Sequence, residues 1–305
     1  MTPPRISPGA PKFHVALRGD QPAGRYGELG RGIEKLGFDR LYVFDDLMHR
    51  PCWPILTLIA SRTERIELGP CLVNGFFTHP ALIAENAAFL DELTDGRCAL
   101  GIGRGAFFDF VGLDGAEPVT RGGAKETVEL VRRLVRGERA PFRGRFFTAS
   151  EDAFLRFAPP RRELPLVVGT WNERMVALAG RLGCDVQIAD VWDAHRLAEL
   201  CREYRESANG TAGRFAVGGI TCVDDDAARA RAEARRTLAV YLPYLGTLVA
   251  RAGVDPRRPP LDRIAQLSKA GRYADAAALV PDDLVDQLTL SGTPAEVVER
   301  LVSTC

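Results

Sequence analysis

The sequence predicts a (β/α)8 TIM-type barrel. Short apolar runs alternate with stretches of helical period through most of the 305 residues, which is the pattern of βαβ units on a mainly parallel sheet. About seven such units can be traced, a number that suits a barrel better than a doubly wound sheet. No repeat, low-complexity tract or linker interrupts them. Residues 1–305 are therefore expected to form a single barrel domain, with residues 1–12, which carry four prolines, as an irregular arm.

Phe13–Leu17 has the composition of a first strand. Tyr26, Leu29, Ile33 and Leu36 recur at helical spacing, and Gly37 follows as a stop. Leu41–Phe44 is the second strand and Pro54–Arg62 the next helix. Ile66–Val73 is the third strand. Pro80 opens a helix at its first position, with Leu82, Ile83, Asn86, Phe89, Leu90 and Leu93 on or near one face. Cys98–Ile102 is the fourth strand. Residues 121–136 form a helix with Val128, Val131, Leu134 and Val135 inward. Residues 137–160 break the rhythm with glycine, proline and five phenylalanines; an inserted loop or hairpin over the barrel mouth is expected there. Leu166–Val168, Asp185–Ala189 and Phe215–Val223 are the fifth to seventh strands, each followed by a helix. Thr293 as N-cap and Pro294 at N1 begin a last helix.

Hydrophobic residues are 46% and charged residues 26% of the chain, an ordinary globular composition. Lys plus Arg equal Asp plus Glu at 40 each, so no net field favours nucleic acid or an anionic membrane. No apolar run approaches the ~20 residues that span a bilayer, and Met1–Arg5 lacks the apolar centre of a signal peptide; a cytoplasmic location is expected. The seven cysteines stand at 52, 71, 98, 184, 201, 222 and 305. None forms a Cys-x-x-Cys pair, and reduced thiols are expected, with no zinc or other metal site.

In a barrel the chemistry sits at the C-terminal ends of the strands. Asp45 and Asp46 end strand two. Cys71, Leu72, Val73 and Asn74 end strand three, Gly103-Arg104-Gly105 ends strand four, and Gly169-Thr170-Trp171-Asn172 ends strand five. Adjacent carboxylates repel, which can raise one pKa enough to make it an acid; a solvated turn or helix cap is the alternative. Gly101-x-Gly103-x-Gly105 lacks the G-x-G-x-x-G spacing of a dinucleotide turn. It suits a close backbone approach to a flat ring, with Arg104 as an anion partner, or a plain strand-end turn. A helix beginning within Gly169–Met175 would aim free N–H groups at a phosphate. Glu173 in its first turn competes for the same dipole, and Arg174 offers compensation. Of four histidines, His79 suits a helix start, His195 a solvated helix and His14 a strand, whereas His49 follows the strand-two end and is a second candidate proton donor.

Several blocks in order resemble the luciferase-like flavin and deazaflavin oxidoreductases. They are Gly37-Phe38-Asp39 through Asp45-Asp46, Thr63–Gly69, His79-Pro80-Ala81, Leu90–Arg97 with Leu100–Gly105, and Gly292–Glu296. The blocks cover most of residues 13–300 and are most similar to the branch using the deazaflavin coenzyme F420, with the FMN branch close behind. The resemblance implies hydride transfer between F420 (alternatively FMN) and a small organic substrate. Reduction of a C=C or C=N bond would suit it, as would a place in secondary metabolism. An FMN-dependent monooxygenase and a catalytically inactive barrel serving as a binding or assembly subunit are the alternatives. A homodimer, a small-molecule substrate and no nucleic-acid or membrane partner are implied.

By position, the resemblance places Asp46 where the family carries a histidine, making it the main proton donor or acceptor beside Asp45. It places a non-proline cis peptide at Cys71–Leu72 and the cofactor against Asp45, Cys71–Asn74, Gly103–Gly105 and Gly169–Arg174. Here Trp171-Asn172-Glu173 replaces the family's usual Gly-Gly-Pro phosphate turn. Family chains also run past the last helix into an eighth strand; this one stops at Cys305, so an atypical C-terminal closure is expected.

Overall fold

The computed structural model describes residues 11–46, 48–105, 108–112, 121–210, 213–251 and 259–304. Most of the expected arm and Cys305 lie outside the described residues. The chain divides into two compact units, residues 1–169 and 170–305.

The first unit contains β1 (His14–Leu17), α1 (Tyr26–Lys35), β2 (Arg40–Val43), α2 (Cys52–Ala60), β3 (Glu67–Pro70), α3 (Pro80–Leu93), β4 (Leu100–Gly103), α4 (Arg121–Val135), β5 (Phe142–Arg143), β6 (Thr148–Ala149) and β7 (Leu166–Gly169). β1, β2 and β3 pair in parallel, with Val15 opposite Leu41 and Leu41 opposite Leu68. Parallel bridges Leu68–Cys98 and Val73–Ile102 continue toward β4, which pairs in parallel with β7. Every residue of β2 and β4 is buried, as a parallel strand covered on both faces requires. Leu36 caps α1 at its C-terminus, and Gly37 follows at φ 89°, a conformation that glycine adopts without steric cost. His79 caps α3, its Nδ1 accepting from the Ala81 N–H at 3.2 Å. The expected insertion is an antiparallel hairpin, β5–β6.

Two buried charges in this unit are paired. The Asp91 carboxylate is fully buried; it accepts from Arg161 Nη2 at 2.7 Å, Arg161 Nε at 3.0 Å and the Cys98 N–H at 3.0 Å. Arg40, 1% exposed, donates to Glu67 Oε2 at 2.6 Å and to the Tyr42 hydroxyl at 2.8 Å.

The second unit contains α5 (Glu173–Arg181), β8 (Asp185–Ala189), α6 (Ala194–Ser207), β9 (Phe215–Gly218), β10 (Thr221–Val223), α7 (Ala227–Tyr241), α8 (Gly246–Arg251), α9 (Leu261–Lys269), α10 (Tyr273–Ala277), α11 (Asp282–Leu288), β11 (Leu290–Gly292) and α12 (Pro294–Thr304). β8 pairs in parallel with β9, and β10 with β11. α7 to α11 pack around Leu238, Leu242, Val249, Ile264 and Leu284, all fully buried. The Thr293–Glu296 box starts α12, with the Thr293 N–H donating to Glu296 Oε2 at 2.7 Å and the Glu296 N–H to Thr293 Oγ1 at 3.4 Å.

Three sequence expectations are refined. The strand expected over Phe215–Val223 is two strands, broken at Gly219, where a Cβ would sit 2.5 Å from Asp190 Oδ1. The third strand is shorter, because the chain leaves it at Cys71–Leu72. Within 242–251 and 259–288, which the sequence rhythm left unassigned, the described residues are mostly helical. Among the described residues the last strand, β11, precedes α12, and none follows residue 294.

Candidate active site

In the first unit the strand ends carry a carboxyl pair, a bent crossover and a rim of glycines. Asp45, just beyond β2, accepts a hydrogen bond from Cys52 Sγ at 3.2 Å. Burial raises the Asp45 pKa, the Cys52 bond opposes this, and the neighbouring Asp46 charge raises it further. Burial and the Asp45 charge push the Cys52 thiol up as well, so the thiol remains a donor. Asp46 is partly buried, and its carbonyl accepts from the His49 N–H at 3.3 Å. His49 is exposed. The like charge of Asp46 thus acts on Asp45.

Beyond β3 the Cys71–Leu72 peptide is cis. Cys71, Val73 and Asn74 are buried and Leu72 partly so. The Val73 N–H donates to the Gly101 carbonyl at 3.0 Å, and the Gly103 N–H to the Val73 carbonyl at 3.0 Å. The Leu72 side chain then lies against the ends of β4 and β7. A Cβ at Gly103 would stand 2.6 Å, and one at Gly169 2.1 Å, from Leu72 Cδ1; only glycine leaves that space. Gly105 (φ 81°) passes close to Asn74 Nδ2, while Asn74 Oδ1 accepts from the Phe76 and Phe77 N–H groups at 3.1 Å each. Arg104 is exposed.

An aromatic wall adjoins this rim. Phe76 lies 5.2 Å from Phe147, and Phe77 4.8 Å from Phe108, between ring centres. Glu126 holds the hairpin to α4 by accepting from the N–H groups of Arg145, Phe146 and Phe147 at 2.8, 2.9 and 3.0 Å.

In the second unit, Asn172 caps α5, its Oδ1 accepting from the Met175 N–H at 3.3 Å, and Thr170 Oγ1 accepts from the Asn172 N–H at 3.0 Å. Glu173 Oε1 pairs with Arg196 Nη2 at 2.5 Å. Arg196 Nη1 donates to Glu199 at 2.8 Å. Arg174 is exposed. Just beyond β8, Asp190 adopts φ 58° and accepts from the Ile220 N–H at 2.9 Å. Burial pushes its pKa up to about 6. Trp171, Asp190, Trp192, Arg196, Leu248 and Arg300 line a cavity of about 720 Å³.

The structure therefore brings together Asp45 with Asp46, and Cys71 to Asn74 with Gly103 to Gly105 and Gly169. It leaves His49, Arg104 and Arg174 exposed. Asp190, Trp192, Arg196 and Arg300 were missed from the sequence. Examining the residue after each strand, as was done for strands two to five, points to Asp190 after strand six; nothing local marks Arg300. Among the described residues no group of His, Cys, Asp and Glu gathers as a metal site.

In the first unit, Gly103 and Gly169 leave the space that the Leu72 side chain fills, so these strand ends present little but backbone and Leu72, which suits a flat ring. In the second unit, Arg196 already faces Glu173 and Glu199.

A sequence profile of the luciferase-like monooxygenase family matches residues 7–304. The 5,10-methylenetetrahydromethanopterin reductase of Archaeoglobus fulgidus is 29% identical over 280 residues, covering 88% of this chain and 82% of that protein. Limonene 1,2-monooxygenase of Rhodococcus erythropolis is 27% identical, covering 72% of this chain and 60% of its own. Among solved structures, the coenzyme F420-dependent tetrahydromethanopterin reductase of Methanopyrus kandleri superposes with a TM-score of 0.79 at 22% identity, covering 96% of this chain and 89% of that one. An F420-dependent secondary alcohol dehydrogenase bound to an F420–acetone adduct gives 0.75 at 21%, covering 96% and 91%. The fold is the parallel α/β barrel type of these structures.

Proposed function

The chain belongs to the luciferase-like monooxygenase family, and on that premise we propose that it is an F420-dependent oxidoreductase acting on a small organic molecule. The observation that carries this reading is the match to a reductase of the methanopterin type over 88% of the chain, joined to strand ends where Gly103 and Gly169 add no side chain beside Leu72. The finer reading is reduction of a C=C or C=N bond in secondary metabolism by one barrel spanning the chain.

When bound, F420 supplies a hydride. The residues proposed to hold it are Asp45, Cys71 to Asn74, Gly103 to Gly105 and Gly169 to Arg174. Asp46 delivers or accepts the proton, within a pair whose other carboxyl, Asp45, is made more proton-retentive by burial. His49 is the lesser donor. Phe76, Phe77 and Phe147 limit water at the rim.

An apolar stripe of Leu82 (51% exposed), Phe89 (51%) and Leu93 (42%) on the outer side of α3 supports the homodimer. No helix among the described residues is long and apolar enough to cross a membrane; a cytoplasmic location is proposed on the balanced charge and the unpaired cysteines.

Parallel binding titrations with F420 and FMN test the reading. F420 is expected to bind at least ten-fold more tightly, about 1.4 kcal/mol. The reverse order would favour the FMN reading, which the limonene monooxygenase relative supports. Binding of neither would favour a non-catalytic barrel.

A further inference from the structure

The cavity of the second unit holds polar groups of two kinds. Most are already matched. Glu173 pairs with Arg196 at 2.5 Å. Asp193 caps α6, accepting from the Arg196 N–H at 2.6 Å. Asp286 pairs with Arg231 at 3.2 Å.

Three groups are not matched in this way. Trp192 is 8% exposed, and its Nε1–H has no acceptor among the described residues. Among the described residues Arg300 donates to the backbone carbonyls of Thr289 and Asp286, and it lies 5.9 Å from the Trp192 ring centre. No carboxylate forms an ion pair with it among the described residues. Asp190 accepts one backbone N–H, from Ile220, and has no cation partner among the described residues.

A buried donor without an acceptor costs on the order of 1–3 kcal/mol. One cation, one N–H and one carboxyl therefore line a single cavity without satisfying one another. The missing complement has an anionic or acceptor end for Trp192 and Arg300, and a cationic or donor end for Asp190. Trp171, Leu248 and Leu288 supply an apolar wall between.

We propose that this cavity binds a free α-amino acid with an apolar side chain. Its carboxylate meets Trp192 Nε1–H and Arg300, and its ammonium meets Asp190. The inference uses neither the Glu173–Arg196 pair nor any bound cofactor; its wall includes Trp171, one of the residues proposed to hold F420, so phenylalanine and F420 are titrated separately and the failure of one leaves the other standing.

The test is a titration of the full-length protein with L-phenylalanine, phenylacetate and phenethylamine, following the indole ¹H–¹⁵N resonances. The last two probes each lack one charged end. L-Phenylalanine is expected to bind saturably, to shift the Trp192 indole resonance, and to bind at least ten-fold more tightly than either truncated probe. Trp192→Phe keeps an aromatic ring and removes only the donor, and Asp190→Asn keeps shape and removes charge. Each is expected to weaken phenylalanine binding by about ten-fold, with melting temperatures confirming that both variants fold. Absence of saturable phenylalanine binding would overturn the proposal. So would equal affinity for a truncated probe, or wild-type affinity in Trp192→Phe.

Discussion

Buried charges are treated differently in two parts of the molecule. In the outer packing of the first unit they are neutralised: Asp91 is clasped by Arg161, and Arg40 by Glu67 and Tyr42. At the strand ends they are not. Among the described residues Asp45 has only a thiol donor and Asp190 only a backbone N–H, and burial raises the pKa of both. A paired buried charge holds elements together, whereas an unpaired one retains a proton and seeks a ligand. Location along the strand therefore separates architectural from chemical carboxyls better than burial does.

The sharpest way to break this contrast is at the strand-two end. Asp46→Asn is expected to lower turnover by ~10²–10⁴-fold while leaving cofactor affinity nearly unchanged, as loss of general acid–base help does. His49→Gln should cost less. Steady-state kinetics with F420 decide it; a reversed ranking would assign the proton to His49, and unchanged turnover in both would remove the strand-two turn from the chemistry.

On the architectural side, Arg161→Ala leaves Asp91 buried and uncompensated. A stability loss of about 3–5 kcal/mol is expected in urea unfolding, as for a broken buried pair. A loss below ~1 kcal/mol, the range of an exposed pair, would place Asp91 among the tolerant surface acids instead.

Asp190 gives a smaller effect of opposite sign. Its folded pKa of about 6 lies above the ~3.9 of an unfolded aspartate. The folded state thus holds the proton more tightly. Its favourable contribution is complete below about pH 4 and is lost as pH rises to about 6. Above that, Asp190→Asn is expected to be more stable than wild type by about 2–3 kcal/mol at most, a gain that disappears near pH 4. Thermal melts across this window measure it; a flat difference would show that Asp190 is not desolvated.

Least in magnitude, Glu126→Gln weakens one clamp of the aromatic hairpin, which rests on three backbone donors. A loss of about 1–2 kcal/mol is expected, with faster amide exchange confined to 142–149.

The alternation of apolar runs and helical periods already contained the barrel class, the order of the elements through Ala189 and the strand-end positions of Asp45, Cys71–Asn74, Gly103 and Gly169. These follow from local periodicity and from residues such as Gly37 and Pro80 that constrain their own backbone. The break at Gly219 was decided elsewhere, by the approach of Asp190 from another strand. So was the grouping of Trp192 with Arg300, which stand far apart along the chain but meet at 5.9 Å. The desolvation of Asp45 also lay beyond periodicity, since the Cys52 thiol that meets it comes from a helix. Secondary structure is written into short-range pattern; the pairing of buried polar groups depends on which distant residues arrive beside them, and that only packing determines.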